Sequence, residues 1–161
     1  MNARLSLAAL LIGIATPALT DPLADMAGGW SGSGIARKSA DAPEEAVRCR
    51  LDNTWETENS RLRIRGRCAV PGRSFEVHGA LARRGDGRLR GFWSNPDGPG
   101  QTSISGRVED QKVEFTFSAK DPATGEDVSQ IVRWTLEGDV LRFVSWHRVE
   151  GVIMADITLE R

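Results

Sequence analysis

Tyrosine is missing from this 161-residue chain, and cysteine and histidine occur only twice each. Two His and two Cys leave little material for a nucleophile–base pair or a metal centre. No G-x-S-x-G, H-E-x-x-H, phosphate-binding P-loop or S-x-x-K spacing is present either. The expectation is therefore a non-enzyme with no metal and no cofactor. Charge of one sign is not in excess: the formal net charge is −1. Long apolar runs are also scarce. Only Leu5 to Thr16 qualifies, and its 12 residues are too few to span a bilayer stably. After Gly28 no stretch shows a helical stripe of period 3.6.

What is present begins with that run. Met1 to Arg4 carries one positive charge, the apolar stretch follows, and small residues stand at Ala18 and Thr20. This is the layout of a secretory signal peptide over residues 1–20, cut after Thr20 or Ala18, rather than a retained anchor. The remainder is long enough for one domain with one core. It should be a soluble periplasmic or secreted protein with no transmembrane segment and no nucleic-acid partner. An even cysteine pair in an exported chain reads as a disulfide, Cys49 to Cys68.

Residues 29–161 alternate apolar and polar side chains, interrupted about every ten residues by Gly, Asp, Asn or Pro clusters. Ten strands are expected at about 29–37, 46–56, 61–70, 74–83, 87–94, 102–109, 112–119, 128–137, 140–149 and 152–160. Residues 21–28 would be an N-terminal arm, with one helical turn between Pro22 and Ala27. A turn at Thr57–Ser60 pairs positions so that Cys49 meets Cys68, Leu51 meets Gly66 and Trp55 meets Leu62. The apolar pattern and the disulfide thus select one register independently. Asp110-Gln111 pairs Val108 with Val113, and Gly138-Asp139 pairs Trp134 with Phe143 and Gln130 with His147. A three-residue loop at Arg84-Gly85-Asp86 would pair Leu81 with Leu89 and Val77 with Trp93. The fold class is all-β: a single antiparallel meander closing into a small barrel of about 8–10 strands, with a sandwich as the alternative. Inward glycines at Gly32, Gly34, Gly66, Gly79, Gly91 and Gly106 would let the strands bend.

Gly28-Gly29-Trp30-Ser31-Gly32-Ser33-Gly34 resembles the opening strand of the calycins (lipocalins, fatty-acid-binding proteins and avidins). It also looks like the opening of nitrobindin-type ten-stranded haem barrels, although neither His falls on a matching ligand motif. Together with Arg48-Cys49-Arg50, Arg67-Cys68-Ala69, Gly91-Phe92-Trp93 and Ser105-Gly106-Arg107-Val108, it is similar to uncharacterised exported small β-barrel proteins of alphaproteobacteria. That resemblance implies the compartment, the disulfide and the fold, and no activity.

Candidate binding residues follow from the pairing. His147, Gln130 and Ser145 would form an inward polar cluster, and Trp30, Trp55, Trp93 and Trp134 would line or fill the interior. Trp146 and His78 would face outward. The loop Ser94–Gln101, with two prolines, could act as a rim or lid. Residues 46–95 hold eleven Lys and Arg against five Asp and Glu, whereas residues 96–161 hold seven against twelve. Arg48, Arg50, Arg63, Arg65, Arg67, Arg88 and Arg90 all fall on outward positions, blunted by Asp52 and Glu56. The expected function is a cell-envelope binding module holding a small apolar or amphipathic ligand. The alternatives are a protein-interaction module such as a periplasmic protease inhibitor using the arm, and binding of haem, anionic lipid or polysaccharide.

Overall fold

The computed structural model describes residues 21–95, 100–121 and 124–161. The expected signal peptide and the middle of the Ser94–Gln101 loop lie outside them.

Ten strands form one closed antiparallel barrel in which each pairs with its chain neighbours and the last meets the first. They are β1 (Gly28–Ala36), β2 (Glu45–Glu56), β3 (Arg61–Val70), β4 (Arg73–Arg83) and β5 (Arg88–Asn95). Then come β6 (Gly100–Glu109), β7 (Lys112–Lys120), β8 (Asp127–Glu137), β9 (Val140–His147) and β10 (Ile153–Glu160). Closure leaves no unpaired edge for another chain to extend. At the seam Gly32 pairs with Leu159 and Gly34 with Ile157. A β-carbon at either glycine would collide with a main-chain carbonyl of β10, that of Thr158 or of Asp156. The two bare positions are what let β1 approach closely enough to close the ring.

The β2–β3, β6–β7 and β8–β9 registers agree with the alternation in the sequence, Cys49–Cys68 and Gln130–His147 included. The cysteines are disulfide-bonded with their Cα atoms 4.1 Å apart. That spacing suits a non-hydrogen-bonded pair, where side chains come closest. One hairpin differs from expectation. Leu81 faces Gly91, and Gly79 faces Trp93, instead of Leu81–Leu89 and Val77–Trp93. The loop is four residues long, closed by Arg84 N–H to Arg88 O at 2.8 Å and Gly87 N–H to Arg84 O at 2.9 Å. Gly87 supplies a positive φ of 78°. The Trp93 ring lies over Gly79, its Cε3 atom 2.9 Å from where a β-carbon would stand.

The N-terminal segment is a plug rather than a free arm. Pro22–Asp25 form one helical turn, α1. Asp21 caps it, accepting from Leu23 N–H at 3.0 Å, and its other oxygen pairs with Arg83 at 3.2 Å. Pro22 stands in the first turn, where its missing N–H costs nothing. Leu23 and Met26 are wholly buried across the barrel end. The Met26 carbonyl accepts from both Trp30 Nε1 and Asn53 Nδ2, each at 3.0 Å. Arg161 lies over the Trp30 ring, 4.6 Å from its centroid, and donates to the Asp25 carbonyl. This end is sealed.

Candidate functional site

The other barrel end carries the longer connections, and there the interior changes character. Below mid-height the inward side chains are sealed: Leu62, Ile64, Leu81, Leu89, Val113 and Leu141 have no exposed surface. Above them, Trp93 and Phe143 point inward from opposite walls yet are only half-buried. So are Phe75, Val128, Gln130, His147 and Ala155. An inward side chain that keeps accessible surface is reached by solvent from the loop end. The interior is therefore fully covered in its plugged half and only partly covered in its loop half.

An aromatic layer forms the floor. Trp93 of β5 stacks on Phe143 of β9 with centroids 6.1 Å apart and planes at 24°. The Trp134 ring meets both edge-on, at 6.1 and 5.9 Å. Phe115 closes the layer 6.4 Å from Trp93. These are the separations at which aromatic pairs attract. The Trp134 Nε1–H is buried without an acceptor among the described residues. An unpaired buried donor costs about 1–3 kcal/mol.

Above the floor, β8 and β9 bring the expected polar residues together. Gln130 stands opposite His147, and Ser145 opposite both Val132 and Ala155. Neither the Gln130 amide nor the Ser145 hydroxyl is hydrogen-bonded to another described residue. His147 is held by its own turn. Its Nδ1 accepts from Glu150 N–H at 3.3 Å, its N–H donates to Val152 O, and its carbonyl accepts from Gly151 N–H. Nδ1 also lies 3.9 Å from the Glu150 carboxylate; in a neutral ring whose Nδ1 accepts the backbone bond, the proton is on Nε2. His147 thus offers a donor at the mouth. Haem or metal ligation through Nε2 would need the other tautomer and the loss of the Glu150 bond. Among the described residues no three His, Cys, Asp or Glu side chains converge as a metal site.

The structure divides the tryptophans that the sequence grouped. Trp93 and Trp134 belong to the floor. Trp30 and Trp55 sit at the plugged end, and Trp30 spends its N–H on Met26. Trp146 faces outward as expected and lies beneath Arg133, 5.2 Å from the ring centroid. Phe143, Phe115 and Phe75 also point inward and escaped sequence reasoning as candidates. Inward phenylalanines look like plain core until the height at which full burial ends is known. His78 is exposed and pairs with Glu76 at 3.2 Å. A hollow beneath α1, lined by Ala24, Asp25, Ala27, Gln111, Leu136, Asp139 and Arg161, lies on the outside of the plug, apart from the barrel interior.

The outward arginines fall into two groups, not one continuous sheet. Arg48, Arg50, Arg63, Arg65 and Arg67 share β2 and β3, while Arg88 and Arg90 on β5 are separated from them by β4. Glu56 holds Arg61 and Arg63 at 2.5 Å each, and these contacts lower its pKa. Asp52 is opposite Arg65 but makes no ion pair with it; Glu76 is the acid that meets Arg67, at 3.3 Å.

Fold and site together define a ten-stranded antiparallel barrel, plugged at one end and only partly covered inside at the other. No protein-family model matches the chain, and no curated protein matches it closely enough to count as a relative.

Proposed function

We propose that this protein is a non-catalytic binding barrel of the cell envelope that takes a small amphipathic molecule into its loop-side chamber. The carrying observation is the half-buried Trp93–Phe143 stack, a flat apolar floor with unsatisfied polar groups close by. Pockets for small ligands have this composition: apolar and aromatic walls with a few placed polar groups. The donors are His147 Nε2–H, the Gln130 amide and the buried Trp134 N–H. They favour a ligand whose polar end accepts hydrogen bonds, such as a carboxylate or carbonyl, over an amine. The apparent export signal and the disulfide support an oxidising extracytoplasmic compartment.

The test is titration with dodecanoate and dodecylamine, followed by tryptophan emission and native mass spectrometry. Dodecanoate should quench the emission saturably, and dodecylamine should not. Trp93→Leu should weaken dodecanoate binding about tenfold, as the loss of one buried aromatic contact implies. No saturable binding of either compound, or equal binding by Trp93→Leu, would remove the proposal.

A further inference from the structure

The outside of β2 and β3 bears an arrangement that works against the stability of the sheet. Arg50 stands directly opposite Arg67. Arg48 and Arg65 occupy the same face two residues along from them, about 7 Å away at the spacing of a strand. Four guanidinium groups thus share a patch two strands wide. Like charges directly opposite in a sheet are destabilising. Asp52 shares the face, opposite Arg65 and two residues along from Arg50, but forms no ion pair with either. Arg67 shares Glu76 with His78, and Arg48, Arg50 and Arg65 form no ion pair with any described residue. The Cys49–Cys68 bond lies immediately behind, between the residues that flank Arg50 and Arg67, and fixes the two strands covalently. A repulsive block set on a covalent clamp points to a counter-charge supplied from outside the chain.

Past β4, which presents Glu76 and His78 outward rather than arginine, the basic residues resume. Arg90 on β5 and Arg107 on β6 face outward and are also without ion pairs among the described residues. Outward arginines thus stand on four of the five strands from β2 to β6, in two groups spread over about half the circumference. A flat bilayer would touch such a convex surface along only two or three strands. The large apolar side chains that are exposed, Val140, Val149 and Ile153, lie in or beside β9 and β10, away from these arginines. A flexible chain can follow the curve. Among the described residues the face has one outward aromatic ring, Phe92, where a single-stranded nucleic acid would be held by a row of stacking rings.

We infer that this face binds a flexible linear polyanion, a carboxylated or sulfated polysaccharide, independently of the chamber. The guanidiniums would meet its anionic groups, with hydroxyls of Ser31 and Ser33 on β1 alongside Arg50 and Arg48. The test measures binding of the intact oxidised protein to polygalacturonate and heparin, with single-stranded polythymidylate and phosphatidylglycerol vesicles as rivals. Saturable binding to one of the polysaccharides is expected, weakening on the order of tenfold between about 50 and 200 mM salt. Arg48→Thr/Arg50→Thr/Arg65→Thr should lose at least tenfold in affinity while keeping the circular dichroism of the parent. The polysaccharide should also raise the melting temperature of the parent and not of the triple variant. Equal affinity in the triple variant, or tighter binding to the vesicles or to polythymidylate, would overturn the inference.

Discussion

Trp93 lies against the bare backbone of Gly79, with ring atom Cε3 2.9 Å from where a β-carbon would stand. The glycine is what allows the ring to lie back against the wall instead of crossing the chamber. Gly79→Ala must push an aromatic ring that is already stacked on Phe143. The expected cost is about 1–3 kcal/mol, the usual range for overpacking. Urea denaturation should read that cost, and dodecanoate titration should show a larger loss of ligand capacity than the stability change alone explains. An unchanged affinity would mean that the Trp93 ring does not floor the binding space.

The plug makes a second prediction. Leu23 is fully buried, so Leu23→Ala should destabilise by about 2–4 kcal/mol. It should also loosen the seal over Trp30, which is 1% exposed. Acrylamide quenching in a variant whose other four tryptophans are replaced by phenylalanine would show Trp30 becoming accessible. If it stays shielded, α1 is not what closes that end.

The disulfide and the arginines it sits behind can be separated. Cys49→Ser/Cys68→Ser should lose about 3 kcal/mol, the chain-entropy value for a loop of this length. Adding Arg50→Thr to that background should restore a few tenths of a kcal/mol, because one of two opposed like charges is gone. A further loss of stability in the triple variant would show that the Arg50–Arg67 opposition carries no cost.

Acid should weaken the barrel partly through Asp156. The guanidinium of Arg142 grips this carboxylate with two bonds, at 3.0 and 2.7 Å, and lowers its pKa below the ordinary 3.8. A lowered folded-state pKa means that the contribution is fully present above the unfolded value. It fades as pH falls from the ordinary value through the folded one. The pair is partly exposed, so it is worth at most about 1 kcal/mol. Asp156→Asn should therefore be less stable than the parent at pH 6, with the difference vanishing toward pH 2 in urea titrations. A difference that persists at pH 2 would trace to packing rather than to the ion pair.

Much of this molecule was legible without coordinates because a strand has period two and a disulfide must join neighbours. Those two constraints are local, and they agreed at Cys49–Cys68, so β2 and β3 were placed with one register. The β4–β5 hairpin shows where legibility ended. Its turn residues allowed a three-residue loop, and both candidate registers kept apolar side chains inside. The structure takes the register with Gly79 opposite Trp93, a pairing that the three-residue loop does not give. The chamber was half legible. Gln130, Ser145 and His147 could be brought together by hairpin arithmetic, since they lie across one turn. The Trp93–Phe143 stack joins β5 to β9, four strands apart around the ring, and nothing in either strand announces the other.

Alternation and turn spacing were enough to say which side chains face in and which consecutive strands pair, but they left a sandwich open beside the closed barrel that the β1–β10 pairing completes. The tertiary structure decided what meets across the lumen, that residues 21–26 stopper one end, and at what height full burial ends. Those are distances between walls that no chain-neighbour rule connects. They depend on how ten strands curve together and on where the large rings find room.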